Sequence, residues 1–434
     1  GHDIFSASKA EPAPAPSVGI IGTGWGLKVQ VPQFRKAGMH VAAIFSRSQA
    51  RAAEIATANG IDKAYSSVAE LCADPAVSLV SVVCPTYERC GYAITALEAG
   101  KHVLADKPMA LSAAEAEQML AAARAAPDQL ALLDFELRAV PAVQHIKQLL
   151  ASGELGAPLH FSFRCLGNFG FLADGATYSH WVTREGGGGV FSAVGTHFVD
   201  LTRYLTGREV VAVSAMQHPL VDSMPDPKTG TPTPVTADGM TCANLKLSKG
   251  MTTVNTGPAQ QTLQKSPRSV DGGSDNAGGD MAAPSPLISI FISGRCPGRP
   301  FENNLIISCE RGSISFDLLT SEAVVFRQGR DAESVGGGGN AWSDVGTPAL
   351  GHALIAAMRA GGDLRGACAG GIATSRTCDG PSKTSDVNSA AELKIRLSDL
   401  ATFEDGVMVQ RVTDAVHASG ARGGAWVEVD ASRP

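Results

Sequence analysis

The stretch Val18-Gly19-Ile20-Ile21-Gly22-Thr23-Gly24-Trp25-Gly26 constrains this chain most, because an apolar run breaks into closely spaced glycines just ahead of a helix-like segment. It reads as a buried strand, a tight phosphate-binding turn and a helix start. Gly22 serves the turn and Gly24 lets the backbone approach a pyrophosphate, which the unpaired N–H groups and positive end of the helix then hold. Thr23, Trp25 and Gly26 belong to the same loop. The usual spacing would want a glycine at position 27, where this chain has Leu27, so the pattern is G-x-G-x-G. Met39 to Phe45 forms a second apolar strand at the distance that closes a βαβ unit. On that context the loop is expected to bind a dinucleotide; the alternative is a purely structural glycine turn.

After the second strand come Ser46, Arg47 and Ser48, where a fold selective for NAD places a carboxylate to accept from the ribose 2′-hydroxyl. A guanidinium flanked by two hydroxyls suits a 2′-phosphate instead, through charge-assisted bonds. NADP is therefore expected, with NAD possible, and the bland alternative is a solvated arginine in a loop.

The αβ alternation continues. The helix over about Gly26 to Lys36 should kink at Pro32 and stop at Gly38. Ser67 to Glu70 is a capping box, Val77 to Cys84 a strand ended by Pro85 and Thr86, and Glu88 to Ala99 a helix closed by Gly100. A strand His102 to Ala105 runs into Asp106-Lys107-Pro108, Ser112 to Glu115 caps another helix, and Leu130 to Asp134 is a last strand. These elements make an α/β unit with a doubly wound parallel sheet over 18–135, behind a flexible tail 1–17. Ligands bind at the C-terminal ends of such strands, which puts Pro85, Thr86, Asp106 and Lys107 beside the cofactor.

Beyond residue 135 strands dominate. A helix Arg138 to Ala151 closed by Gly153 precedes strands Leu159–Leu166, Glu209–Gln217, Met240–Leu247, Gly250–Thr256, Leu287–Ser293, Asn304–Ser308 and Ser313–Leu318. Lys249-Gly250 and Arg311-Gly312 read as hairpin turns, so the second unit, 136–434, is α+β with an open, mainly antiparallel sheet carrying helices on one face. Late helices over Pro348–Arg359 and about Asp399–Ser419, and a strand near Ala425–Val429, complete it. The stretches 219–238, 258–286 and 361–388 have the composition of loops that do not pack.

At 434 residues, two domains are expected. The formal charge of -6 and the lack of a long basic run argue against nucleic acid as a partner. Nine cysteines without C-x-x-C spacing suggest free thiols in a reducing compartment and no metal. No apolar run is long enough to span a bilayer and the N-terminal tail lacks a signal-peptide core, so a cytoplasmic protein without membrane contacts is the expectation.

The chain resembles the glucose-fructose oxidoreductase / inositol dehydrogenase (Gfo/Idh/MocA) family. The resemblance lies in Gly22-Thr-Gly24, in Ala96-Leu-Glu-Ala-Gly-Lys-His-Val-Leu-Ala-Asp106-Lys107-Pro108, and in Gly186-Gly-Gly-Gly-Val-Phe-Ser-Ala-Val-Gly-Thr-His197-Phe-Val-Asp200. Family members carry Glu-Lys-Pro where this chain has Asp106-Lys107-Pro108, and Asp-x-Gly-x-His where it has Ala193, Gly195 and His197. The wording of the glycine run is similar to the glucose-fructose oxidoreductase domain-containing branch. The resemblance implies an N-terminal Rossmann domain, an open-sheet second domain and a nicotinamide in the cleft between them, with Lys107 near the nicotinamide and the substrate hydroxyl.

His197, Asp200 and Tyr204 share one face of a helix whose apolar face is Phe198, Leu201 and Leu205. A histidine beside Lys107 would exchange the proton of a substrate hydroxyl, with Asp200 orienting the ring; the alternative is a histidine satisfied by backbone at a helix start. Tyr178, His180 and Trp181 offer a flat, hydrogen-bonding surface for a small sugar or cyclic diol, or are equally core. The leading reading is an NADP-dependent oxidoreductase acting on a sugar, cyclic polyol or dihydrodiol-like substrate. The second, motivated by Ala193, is a non-catalytic NADP-binding sensor. A homodimer or higher homo-oligomer through the exposed sheet face is expected, because Thr253-Val254 and Ile288–Ile292 read apolar on both faces.

Overall fold

The computed structural model describes residues 16–249, 285–360 and 397–434. The tail ahead of Pro16, the strand expected over 250–256 with its turn and Thr253-Val254, the loop 258–286 up to residue 284 and all of 361–388 lie outside the described residues.

Strands β1 (Ser17–Ile21), β2 (His40–Phe45), β3 (Lys63–Tyr65), β4 (Leu79–Val82), β5 (His102–Ala105) and β6 (Ala131–Leu133) form one parallel sheet in the order β3-β2-β1-β4-β5-β6. Every residue of β1 and β4 is buried, as a strand covered by helices on both faces requires. The covering helices are α1 (Val31–Lys36), α2 (Gln49–Asn59), α3 (Val68–Ala73), α4 (Thr86–Glu98) and α5 (Ala113–Ala125). Hydroxyls of Ser48, Ser67 and Ser112 cap α2, α3 and α5 by accepting from the third backbone N–H beyond each. The strand order reverses between β1 and β4, and that opens a crevice at their C-terminal ends.

Pro32 produces no mid-helix kink. The chain makes a five-residue turn over Gly26–Gln30, in which the Val31 N–H donates to the Gly26 carbonyl, and α1 starts only then. Pro32 falls in the first turn of α1, where its missing donor costs nothing.

A short 3₁₀ turn at Glu136–Ala139 leads into α6 (Pro141–Ser152), later than periodicity suggested because Pro141 is the natural first residue of the helix. The second sheet comprises β7 (Pro158–Leu166), β8 (Val210–His218), β11 (Met240–Leu247), β12 (Leu287–Ser293), β13 (Glu302–Cys309), β14 (Gly312–Asp317), β15 (Glu322–Arg327), β16 (Glu333–Gly336) and β17 (Val427–Glu428). Their order is β16-β15-β14-β13-β7-β12-β11-β8-β17. All neighbours are antiparallel except β7 and β12, whose direction is set by the β8-β11-β12 meander rather than by β7. The stretch 219–238 does pack: β9 (Ser223–Pro225) pairs with β10 (Pro232–Pro234), and Met224, Val235, Ala237 and Asp238 are buried. Its prolines and threonines suit a short two-stranded ribbon, which composition alone did not reveal.

Helix α7 (Thr196–Thr206) packs on the second sheet, with Phe198 stacked on Phe163 of β7 at 4.8 Å, and meets the turn that follows β6. Helix α8 (Thr347–Arg359) packs back on the first unit, with Gly351 against Phe34 and Ala37, and the Leu133 N–H donates to the Ala401 carbonyl just ahead of α9 (Phe403–Ala421).

Charge is buried where α7 meets α9. Arg138 grips Asp200 with two hydrogen bonds of 2.8 and 2.6 Å and Asp405 with a third of 3.2 Å. Arg203 binds Glu209 twice and Asp405 at 3.0 Å. Burial opposes ionisation of Asp405, yet Arg138 and Arg203 outweigh it and hold its carboxyl below the usual carboxylate range. A depressed folded pKa contributes stability that is present above the unfolded value and lost as pH falls through the folded one. Asp405→Asn is therefore expected to cost about 3 kcal/mol at pH near 7. The gap to wild type should narrow below about pH 4. Urea midpoints at the two pH values check this, and equal midpoints at neutral pH would refute it.

Candidate active site

The glycines after β1 meet three different demands. Gly22 has φ +150°, and a Cβ there would strike the Val83 carbonyl of the neighbouring strand end. A Cβ on Gly24 would meet no protein atom within 4 Å, so its bareness leaves room outside the chain. A Cβ on Gly26 would come within 2.6 Å of Val83 Cγ1 and 2.8 Å of Ile20 Cγ2. Gly26 thus gives the close helix-to-strand packing that a glycine at position 27 supplies in the usual pattern, and the wide turn over Gly26–Gln30 accompanies that shift. This open, glycine-built cradle at a switch point fits a dinucleotide pyrophosphate, with Thr23 and Trp25 on its rim.

Arg47 extends into solvent after β2, with Ser46 and Ser48 beside it; the Ser48 hydroxyl is engaged as the cap of α2. The Glu88 carboxylate lies 3.8 Å from the Arg47 guanidinium, so an acidic group does stand at the position where the local sequence Ser46-Arg47-Ser48 offers none. Helical spacing from Thr86 carries Glu88 to that edge, a fold-back invisible in the local sequence.

Arg89 is a feature that sequence reasoning missed. Buried, it donates to the carbonyl of Cys84 at 2.7 Å, to that of Pro108 and to the Thr86 hydroxyl at 3.4 Å, and it stands 3.5 Å from Asp106. One guanidinium therefore joins Pro85-Thr86 at the end of β4 to Asp106-Lys107-Pro108 at the end of β5. Asp106 also accepts from the Lys107 N–H.

Lys107 Nζ donates to the carbonyl of Ala193 at 2.7 Å, spanning the two units. Ala193 sits in a five-residue turn, Phe191–Gly195, that precedes α7. The glycine run behind it is closely packed: Gly187 lies against Thr86, where a Cβ would come within 2.7 Å of the threonine Cβ, and the N–H groups of Gly187, Gly188 and Gly189 all donate to local carbonyls. The glycines thus serve close approach of the backbone to neighbouring groups.

His197 is brought to the same place but is buried, edge-on to Phe135 at 5.6 Å and to Trp342 at 5.9 Å. Burial, reinforced by Lys107, pushes its imidazole pKa well below the usual value, so the free protein holds it neutral. Asp200 does not orient its ring: that carboxylate is committed to Arg138, and the buried residue has no surface for substrate. Tyr204 likewise turns away, donating to Asp399 at 2.9 Å and accepting from Gln144. The carboxylate nearest the ring is Glu136, whose Oε2 stands 4.0 Å from His197 Nδ1. Next to it, Asp134 accepts from Gln30 at 2.8 Å, and Ser81 donates to Gln30 at 2.7 Å. Burial, with Asp106 adding, raises the Asp134 carboxyl to about 7. The available signal was position: Asp134 and Glu136 follow β6 as Lys107 follows β5.

His180 meets the ring of Tyr87, on the first turn of α4, at 6.2 Å, and Trp181 stacks on Phe171 at 5.5 Å. Trp181 and Tyr87 are both exposed, and His180 lies between them, edge-on to Tyr87 and tilted against Trp181 at 5.1 Å. Tyr178 is half-buried and packs against the main core instead. Among the described residues no group of three or more His, Cys, Asp or Glu could hold a metal ion, and no helix is long and apolar enough to cross a membrane.

Comparison with known proteins agrees with this geometry. Residues 17–133 match the family model described as "Oxidoreductase family, NAD-binding Rossmann fold", and 143–315 match "GFO/IDH/MocA C-terminal domain". An uncharacterized oxidoreductase of Synechocystis is 33% identical over 54% of this chain and 63% of its own length. Glucose-fructose oxidoreductase domain-containing protein 2 of Homo sapiens is 31% identical over 46% of this chain and 51% of its own. The chain thus spans between about half and 63% of these relatives. A solved levoglucosan dehydrogenase, in complex with NADH and levoglucosan, shares the fold at a TM-score of 0.71 and 20% identity, covering 96% of this chain and 100% of its own. With both units matched by the family's own models, the chain belongs to the Gfo/Idh/MocA oxidoreductase family.

Proposed function

We propose that this protein is a nicotinamide-dependent oxidoreductase that interconverts a hydroxyl and a carbonyl on a sugar, cyclic polyol or dihydrodiol-like substrate, with NADP preferred over NAD. The observation that carries the reading is Lys107 Nζ reaching across to the Ala193 carbonyl at the C-terminal end of β5, with His197 behind it. A bound nicotinamide would supply the hydride acceptor or donor. Lys107 keeps two further ammonium protons to offer a developing alkoxide, and the neutral imidazole of His197 is suited to exchange the hydroxyl proton. Trp181, Tyr87 and His180 would give the apolar face of a sugar a surface to lie on. The levoglucosan complex of the structural relative supports that substrate class.

A second reading, a non-catalytic NADP-binding sensor, is favoured by two observations: Ala193 replaces the family aspartate, and His197 is 3% exposed. A sugar and diol panel followed at the nicotinamide absorbance separates the two. On a substrate that turns over, Lys107→Ala and His197→Ala should each lower kcat by roughly 100-fold to 10,000-fold while NADP affinity changes little. Unchanged turnover in both removes them as catalytic residues; no turnover by wild type on any panel member favours the sensor.

For the cofactor, NADP is expected to bind at least about tenfold more tightly than NAD. Arg47→Asp should reverse the order, and Glu88→Gln should widen it, since a negative charge leaves the phosphate's neighbourhood. Calorimetric Kd values for both nucleotides decide; equal affinities in wild type defeat the NADP assignment.

The outward face of the second sheet exposes Leu287, Phe291, Ile306 and Phe326, while Ile288, Ile290 and Ile292 on the inward face are buried. We infer a two-fold homodimer through that face. Light scattering should give twice the chain mass and Ile306→Arg should halve it; a wild-type monomer at micromolar concentration contradicts the inference.

A further inference from the structure

Two polar atoms face each other in the dry layer behind Lys107 without a partner. His197 Nδ1 and Glu136 Oε2 are 4.0 Å apart, both side chains are 3% exposed, and neither atom has a hydrogen-bond partner among the described residues. Leaving two such groups unpaired away from water is unfavourable. The arrangement makes sense if they pair during turnover, when hydrogen bonds that are long in the free protein tighten. The residue that would otherwise supply a carboxylate near this histidine is Ala193, and its backbone oxygen is taken by Lys107.

We propose that Glu136 is the proton acceptor behind His197, a positioning residue that sets the imidazole tautomer and takes the proton the ring does not keep. Glu136 touches neither substrate nor cofactor and acts on them through His197, with the buried Asp134 carboxyl as its other hydrogen-bonding neighbour; the inference rests on the oxidoreductase reading above. In the oxidative direction, above the titration of Glu136, His197 begins with its proton on Nδ1, donated to the Glu136 carboxylate. The substrate hydroxyl proton passes to Nε2 and the Nδ1 proton passes to Glu136 Oε2, while a bound nicotinamide would take up the hydride. One alcohol becomes one carbonyl, the imidazole ends neutral in its other tautomer, and Glu136 ends as a carboxylic acid. Reduction runs the same transfers backwards.

The surroundings favour this relay over an imidazolium. Phe135 and Trp342 enclose the ring, and Lys107 adds positive charge, so burial and charge both penalise a second ring proton. Glu136 faces the opposite pull. Burial and then the Asp134 charge, with a smaller part from Asp106, push its carboxyl well above the ordinary value against the opposing effect of Lys107. A group that readily holds a proton thus stands behind one that does not.

Two measurements on the full-length protein test the proposal. In the first, histidine labelled with ¹⁵N is followed by NMR across the whole pH range in which the protein stays folded, with and without NADP. Below the raised Glu136 titration the acid donates to Nδ1 and the ring proton sits on Nε2. Above it the carboxylate accepts from Nδ1–H, so His197 should change tautomer with pH. Glu136→Gln, which cannot ionise, should abolish the change. A wild-type tautomer indifferent to pH, or the same change in the variant, overturns the proposal whether or not any substrate is turned over. The wild-type titration needs no variant and stays decisive if Glu136→Gln fails to fold, a failure that lost NADP binding would report.

In the second measurement Glu136→Gln should lower kcat roughly 100-fold, with KM and NADP affinity little changed, and Glu136→Asp should recover part of it. Equal kcat and an unshifted pH profile in Glu136→Gln refute the relay. Absence of wild-type turnover on every substrate counts against the enzyme reading instead, and the tautomer titration then stands alone.

Discussion

Between its two sheets this protein buries charge, and much of its middle layer answers to the cost of doing so. Arg138 and Arg203, nearly out of contact with water, share Asp405 and each hold a carboxylate of their own. The desolvation of such ions is repaid only when geometry and hydrogen bonds are good, and here most of the guanidinium donors are matched. The consequence for α7 is that Asp200 belongs to the structure. A helix position that looked like part of the reactive face turns out to anchor that helix to the turn after β6.

The same dry layer shapes the chemistry. Lys107 approaches from the crevice of the parallel sheet, His197 from the start of α7 and Glu136 from the 3₁₀ turn, so three elements far apart in sequence converge on one small volume. Low polarity there disfavours the ionised form of both the histidine and the two carboxylic acids. Lys107 has the Ala193 carbonyl as partner, and Arg89 braces the loop that carries it.

Periodicity and punctuation made most of the architecture legible. Residues Met240–Leu247 and Leu287–Ser293 are strands with the expected limits, because alternating buried and half-exposed positions bounded by polar turns admit few other conformations. The serine caps of α3 and α5 were equally local. What escaped were β3, β15 and β16, short strands at or next to sheet edges whose identity depends on a neighbour to pair with. The ribbon β9–β10 escaped because its prolines and threonines resemble an unstructured segment until a partner strand is supplied.

The sequence by itself determined the nucleotide-binding turn, the doubly wound order of elements, the antiparallel character of the second sheet and the placing of Lys107 and His197 near one another. Each of these follows from backbone rules, from apolar spacing or from a motif that spans a few residues. Only the tertiary structure decided which charges neutralise which: Arg138 with Asp200, Arg89 with the Asp106-Lys107-Pro108 loop, Glu88 opposite Arg47, and Glu136 rather than Asp200 behind His197. Electrostatic partnership depends on distances of a few ångströms and on the exclusion of water. Both are properties of how elements pack, and neither is written in the local order of residues.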